Sequence, residues 1–246
     1  GGGTSDFSLV QLGPQRLQRG GDRTRDILAT RGIHIGGTDF DQRLSLAHAM
    51  PLLGFRHTGP DGREVPSAVF FDLSTWHLIH WRYSAKAMRD AQALRTNYAN
   101  PVLHQRLMTV LQERLAHHMA NDVEQAKISI SQASQAAAGG GAHGSGEAGS
   151  AEGVAQGGQP QASCRMDFGY LERNLSADLQ ADSLAACLHA PLAQVVQCAL
   201  GCVAAAGLQP GELDAIYLTG GSSALASFQQ ALQQAFAGVP LVEGDL

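Results

Sequence analysis

The chain is short of several things, and each shortage excludes something. Charged residues make up only 16% of its 246 positions, and the formal net charge is −5. Without a basic excess, a nonspecific nucleic-acid surface or an anionic-membrane surface is not expected. The expected partners therefore exclude nucleic acid and membrane. Cysteine is scarce: Cys164, Cys187, Cys198 and Cys202 form no CxxC pair. Small core-facing thiols in a reducing, cytoplasmic compartment are the reading for all four, although Cys198 and Cys202 share a helix face. The ten histidines are scattered. His77, His80, His117 and His118 sit in long helical stretches and read as solvated or helix-packing residues rather than metal ligands. No apolar run reads as long enough to cross a bilayer, and no signal peptide is visible.

Glycine is abundant, with 29 residues, and its placement is informative. The run Gly1-Gly2-Gly3-Thr4-Ser5-Asp6 leads directly into alternating apolar residues that suit a strand over 4–12. Three residues without Cβ let backbone amides approach a phosphate closely. Thr4 and Ser5 add hydroxyls, and Asp6 adds a carboxylate within reach of a cation. Near the other end, the strand 214–218 runs into a second turn at Gly220-Gly221-Ser222. Two strand-to-glycine turns in one chain suggest a nucleotide held between them. Taken singly, each glycine run is equally a tight connection, with Ser222 or Ser223 as a helix N-cap in one and Thr38 or Asp39 in the other.

The rest of the chain reads as α/β, with strands feeding helices through glycine turns. Residues 14–25 are polar, with a turn at Gly20-Gly21-Asp22. Ile27–Thr30 reads as a short strand. A helix starting near Asp39 places Phe40, Leu44, Leu46 and Ala47 inward and closes at Pro51 and Gly54. One long helix is predicted over 101–131 from apolar residues at three- and four-residue spacing, including Leu107, Leu111, Met119 and Val123. Residues 164–168 read as a strand, a helix spans about 179–207, another spans 223–237, and a short strand lies at 239–242. The tract 132–162 is almost entirely Ser, Gln, Ala and Gly and reads as a flexible surface loop.

The order of the motifs resembles a known family. GGGTSDFSLV is similar to the second phosphate motif of the actin-like ATPase superfamily, in its seventy-kilodalton heat-shock (DnaK-like) branch. RGIHIGGTDFDQRL, with His34 and Gly36-Gly37, resembles that branch's next segment. VEQAKISIS resembles its adenosine-contacting helix, and IYLTGGSSALASFQQAL its adenosine motif. HAMPLLGF and the closing VEGDL are closest to the YegD type. The resemblance implies the second lobe of a ribonuclease H-like nucleotide-binding domain. In it, 1–37 and 163–246 would form an α/β core subdomain, and 38–131 a mainly helical subdomain on top. It also implies a fragment, since the chain opens inside its first motif.

By that resemblance, Gly1, Gly2, Gly3 and Thr4 would contact the β- and γ-phosphates of ATP or ADP. Asp6 would hold water on Mg²⁺, and Gly37 and Thr38 would lie near the ribose. Glu124, Lys127, Ile128 and Ser131 would hold ribose and adenine, although Glu124 and Lys127 alone read as an ordinary surface ion pair. Gly220, Gly221 and Ser222 would pack against the α-phosphate and base. The implied function is that of an ATP-dependent chaperone-like protein with unfolded client protein as partner. The alternatives are an actin-like ATPase or small-molecule kinase of the same superfamily, or a degenerate, non-hydrolysing nucleotide scaffold. Ile128 and Ala224 stand where the family stacks adenine between two arginines, and Thr38 stands where it has Glu. These departures imply weaker binding, because each lost guanidinium stack is worth roughly 0.5–2 kcal/mol when desolvated. ATP turnover is expected of the full-length protein and not of this fragment alone.

Overall fold

A computed structural model describes residues 2–13, 24–139 and 162–244. Gly1, the expected turn at Gly20-Gly21-Asp22 and residues 140–161 of the low-complexity tract lie outside the described residues. The strands are β1 (Ser5–Val10), β2 (Ile27–Ile33), β3 (Ser163–Asp167), β4 (Ser176–Gln180), β5 (Ile216–Leu218) and β6 (Leu241–Glu243). The α-helices are α1 (Gly37–Leu44), α2 (Ala68–Leu73), α3 (Ala85–Ala93), α4 (Pro101–Gln112), α5 (Ala116–Gly139), α6 (Ala181–Ala205) and α7 (Ala226–Ala235). The strands pair two by two: β1 with β2 antiparallel, β3 with β4 antiparallel, and β5 with β6 parallel. The architecture is therefore a mixture of helices and small sheets, compatible with the α/β class.

By contacts the chain divides into two units, 1–43 with 186–246, and 44–185. This differs from the expected division for the β3–β4 hairpin. The hairpin belongs with 44–185 because α5 packs on both of its strands and β4 also meets the segment Ser45–Ala49.

In the first unit, β1 alternates half-buried and exposed residues, as its period-two apolar pattern dictates. The sulfur of Cys202 on α6 lies 3.8 Å from the Phe7 carbonyl. Its core takes in Phe40, Leu188, Val195, Leu232 and Phe236. By length and composition α6 could cross a membrane, which the sequence reading had not recognised. Its apolar stripe, Leu184, Leu188, Leu192, Val195, Ala199 and Val203, is buried, as in a core helix.

The second unit is mainly helical. After Leu44 the chain makes a π turn, Ser45–Ala49, and a 3₁₀ turn, Met50–Leu53, closed by Gly54 at φ 106°. The wider turn rotates the following residues. Ala49 and Met50 enter the core, while Ala47, expected inside, is exposed. A Cβ on Gly54 would collide with the Tyr98 ring, and the Tyr98 hydroxyl donates to the Leu53 carbonyl at 2.9 Å.

The single helix expected over 101–131 is two. Helix α4 ends in a Schellman arrangement, with the Leu115 amide donating to the Val110 carbonyl at 2.9 Å and Arg114 left-handed at φ 58°. The expected apolar positions still face inward, because Leu107, Val110 and Leu111 on α4 and Met119, Val123 and Ala126 on α5 are all buried. Helix α5 then continues to Gly139, so residues 132–139 of the tract expected to be a flexible loop are helical. The helix expected from about 179 begins at Ala181, because Ser176–Gln180 pairs with β3 as a strand.

Candidate functional site

Glycines from three distant parts of the first unit come together. The turn at Gly2-Gly3-Thr4 precedes β1, and the Ser5 hydroxyl ties the start of that strand to the Ile35 carbonyl at 2.7 Å. The Gly2 carbonyl accepts both the Thr38 amide at 2.8 Å and the Thr38 hydroxyl at 3.0 Å. Gly36 lies directly against this turn. A Cβ there would fall 2.5 Å from the Gly2 carbonyl oxygen and 2.8 Å from the Thr4 nitrogen. A Cβ on Gly37 would fall 2.8 Å from the hydroxyl of Ser222 in the third glycine turn. The expected phosphate and ribose groups Gly2, Gly3, Thr4, Gly37, Thr38 and Ser222 thus share one neighbourhood.

Helix α1 shapes that neighbourhood. Gly36 is its N-cap, accepting from the Asp39 amide at 3.1 Å and the Phe40 amide at 3.2 Å. Neither Thr38 nor Asp39 is the cap. Asp39 sits one turn in, and its carboxylate accepts from the Gly36 amide at 2.8 Å, the reach-back half of a capping box. Asp6 faces Gly32 across the hairpin. A Cβ on Gly32 would fall 2.5 Å from its carboxylate, so the glycine leaves Asp6 room. The Thr4 hydroxyl donates to the other Asp6 oxygen at 2.9 Å. Exposed Asp6 and Thr4 therefore place one carboxylate and one hydroxyl beside the glycine turn.

The third turn stays open. Gly220 has φ 88°, a conformation that favours glycine, and a Cβ on Gly221 would meet nothing within 4 Å. Ser222 and Ser223 do not cap α7: the Ser223 hydroxyl donates instead to the Gly220 carbonyl at 2.6 Å.

The remaining expected residues lie on α5, in the other unit. Glu124 and Ile128 are half-buried, while Lys127 and Ser131 are only 6% and 5% exposed. Lys127 is therefore largely buried, and both Lys127 and Ser131 are in polar or electrostatic contact with neighbours.

Two other features were not singled out from the sequence. The hairpin end at Arg165, Asp167, Gly169, Arg173 and Asn174 lines an open cavity of about 430 Å³. Its alternation of charges along an exposed strand gives no sequence signal distinct from solvation. The His48 imidazole and the Ser183 hydroxyl meet at 2.9 Å, and burial lowers the His48 pKa. These residues are 135 positions apart, so their meeting depends on tertiary packing alone.

No known family model matches the chain. Among the described residues no group of three or more His, Cys, Asp or Glu side chains is arranged to hold a metal ion.

Proposed function

We propose that this chain binds ATP or ADP with Mg²⁺ through its glycine turns, as part of an actin-like, DnaK-like nucleotide-binding domain in a cytoplasmic chaperone-like protein. The observation that carries the reading is the junction of Gly2-Gly3-Thr4, Gly36-Gly37 and Ser222, drawn from sequence positions up to 220 residues apart. The exposed Thr4 hydroxyl and Asp6 carboxylate beside the first turn, together with the open turn at Gly220-Gly221, fit a phosphate chain and its hydrated cation. Gly2, Gly3 and Thr4 would hold the phosphates, Thr4 and Asp6 would orient water on the cation, and Gly220, Gly221 and Ser222 would border the base. Hydrolysis is assigned to no residue of this chain, because in-line phosphoryl transfer needs groups on both sides of the γ-phosphate.

Titration calorimetry with Mg-ATP and Mg-ADP tests the proposal. Binding is expected, weaker than in arginine-stacking relatives by about one to a few orders of magnitude. Gly221→Ala should lower affinity about tenfold or more while leaving stability unchanged, since its Cβ meets no protein atom. Absence of binding at millimolar nucleotide would overturn the reading. A second reading, a non-hydrolysing nucleotide scaffold, is favoured by Ile128 and Ala224 at the two stacking positions. Nucleotide binding without turnover, with or without unfolded client, would select it.

A further inference from the structure

Gly32 is an unexpected residue for its place. It lies inside β2, where a glycine gives the ladder no side chain to pack, and it pairs with Asp6 of β1. Its φ is outside the left-handed range, so the backbone does not call for glycine there. One side chain does. A Cβ on Gly32 would fall 2.5 Å from Asp6 Oδ1 and 3.6 Å from the Asp6 Cγ. The nearest backbone atom across the hairpin, the Ser5 carbonyl oxygen, is 3.8 Å away, an ordinary contact. The Asp6 carboxylate thus occupies the space that a side chain at position 32 would fill.

Thr4 fixes the other carboxylate oxygen, its hydroxyl donating to Asp6 Oδ2 at 2.9 Å. Thr4, Asp6 and Gly32 are all exposed, and among the described residues Asp6 makes no ion pair. The direction of the carboxylate is therefore set by the Thr4 hydroxyl at one oxygen and by the open space over Gly32 at the other.

We propose that Gly32 is a positioning residue for the cation of the nucleotide site. By lacking a side chain it lets the Asp6 carboxylate lie across β2 while still reaching Thr4, and in that pose Thr4 and Asp6 together hold water on Mg²⁺. The inference rests on the nucleotide reading above. It also separates Gly32 from Gly36. A Cβ at 36 meets backbone and disturbs the fold, whereas a Cβ at 32 meets the far end of one exposed side chain. Alanine at 32 should turn Asp6 away and break its bond to Thr4 while the hairpin stays folded.

Titration calorimetry with Mg-ADP, and with ADP in EDTA, tests this in the parent, Gly32→Ala, Asp6→Ala and the double variant. A crystal structure of Gly32→Ala without nucleotide locates the carboxylate. Gly32→Ala should bind Mg-ADP about threefold to tenfold more weakly, bind ADP in EDTA as the parent does, and melt at the parent's temperature. Its Thr4 hydroxyl should lie beyond about 3.5 Å from the Asp6 carboxylate. Asp6→Ala should lose at least as much Mg-ADP affinity, and adding Gly32→Ala to it should change nothing further. A merely structural role for Gly32 gives instead equal losses with and without Mg²⁺ and a lower melting temperature. That pattern, an unmoved carboxylate, or additive losses in the double variant would overturn the proposal. Mg-ADP binding left intact by Gly32→Ala overturns this inference alone, whereas a parent that binds no nucleotide overturns the nucleotide reading and this inference with it.

Discussion

Replacing Gly36 with alanine tests whether the first two glycine turns are packed against each other. The new Cβ would lie 2.5, 2.8 and 2.9 Å from the Gly2 oxygen, the Thr4 nitrogen and the Gly3 carbonyl carbon. All three are backbone atoms, so no side chain can swing away. Restoring ordinary contact requires the turn to withdraw by about 0.5–1 Å, enough to stretch both Thr38 bonds to Gly2 out of hydrogen-bonding range. Losing two such bonds costs about 1–3 kcal/mol. Lower unfolded-state entropy returns about 0.4–1 kcal/mol. The net loss should be about 1–2 kcal/mol, a fall in melting temperature of roughly 2–8 °C for a chain of this size. Urea and thermal unfolding of Gly36→Ala, Gly37→Ala and Gly221→Ala provide the measurement. Gly37→Ala should be milder, since it meets only the Ser222 hydroxyl, and Gly221→Ala should be neutral. Equal stability for Gly36→Ala and Gly221→Ala would refute the packing argument.

Other perturbations probe the helical unit. Tyr98→Phe removes the donor to the Leu53 carbonyl in a buried setting and should cost about 1–3 kcal/mol by chemical denaturation. Gly54→Ala combines a left-handed backbone with collision against the Tyr98 ring and should cost more than Tyr98→Phe in the same assay. For His48, burial depresses the folded-state pKa below 6.5, so the unfolded chain binds the extra proton first as pH falls. Stability from this group is therefore complete above pH 6.5 and declines as pH drops through 6.5 toward the folded value. Denaturation midpoints of His48→Gln across that window should show a shallower pH dependence than the parent.

Local elements were legible where local chemistry decides them. The alternation in β1, the apolar spacing on α4 and α5, and Gly54 after Pro51 all sit within a few residues of the structure they specify. What was missed depends on partners elsewhere. Ser176–Gln180 borders a helix-forming stretch and becomes a strand only because β3 offers it a ladder. The break between α4 and α5 was hidden because Arg114 takes the place where glycine would have announced it. The π turn keeps helical composition while changing which side chains face inward, so Ala47 read as buried and is not.

The candidate site was legible as residue types and illegible as contacts. Three glycine runs can each be an ordinary turn, and nothing in their spacing says that the Gly2 carbonyl receives Thr38 or that Gly36 must lack a side chain. Those contacts also divide the glycines into two physical classes. Gly36 lacks room for a Cβ because protein backbone fills the space, so its identity is accounted for by folding alone. Gly221 has open space around it, and its φ lies outside the left-handed range, so neither packing nor conformation requires glycine there. Gly13 and Gly211 are equally open, so only a binding measurement can assign the glycine at 221 to a ligand. If Gly221→Ala is neutral in stability and also neutral toward Mg-ATP, nothing is left to explain that residue by a ligand, and the nucleotide reading loses the support of the third turn. If only the affinity falls, the requirement for glycine at that position lies in the ligand and not in the fold.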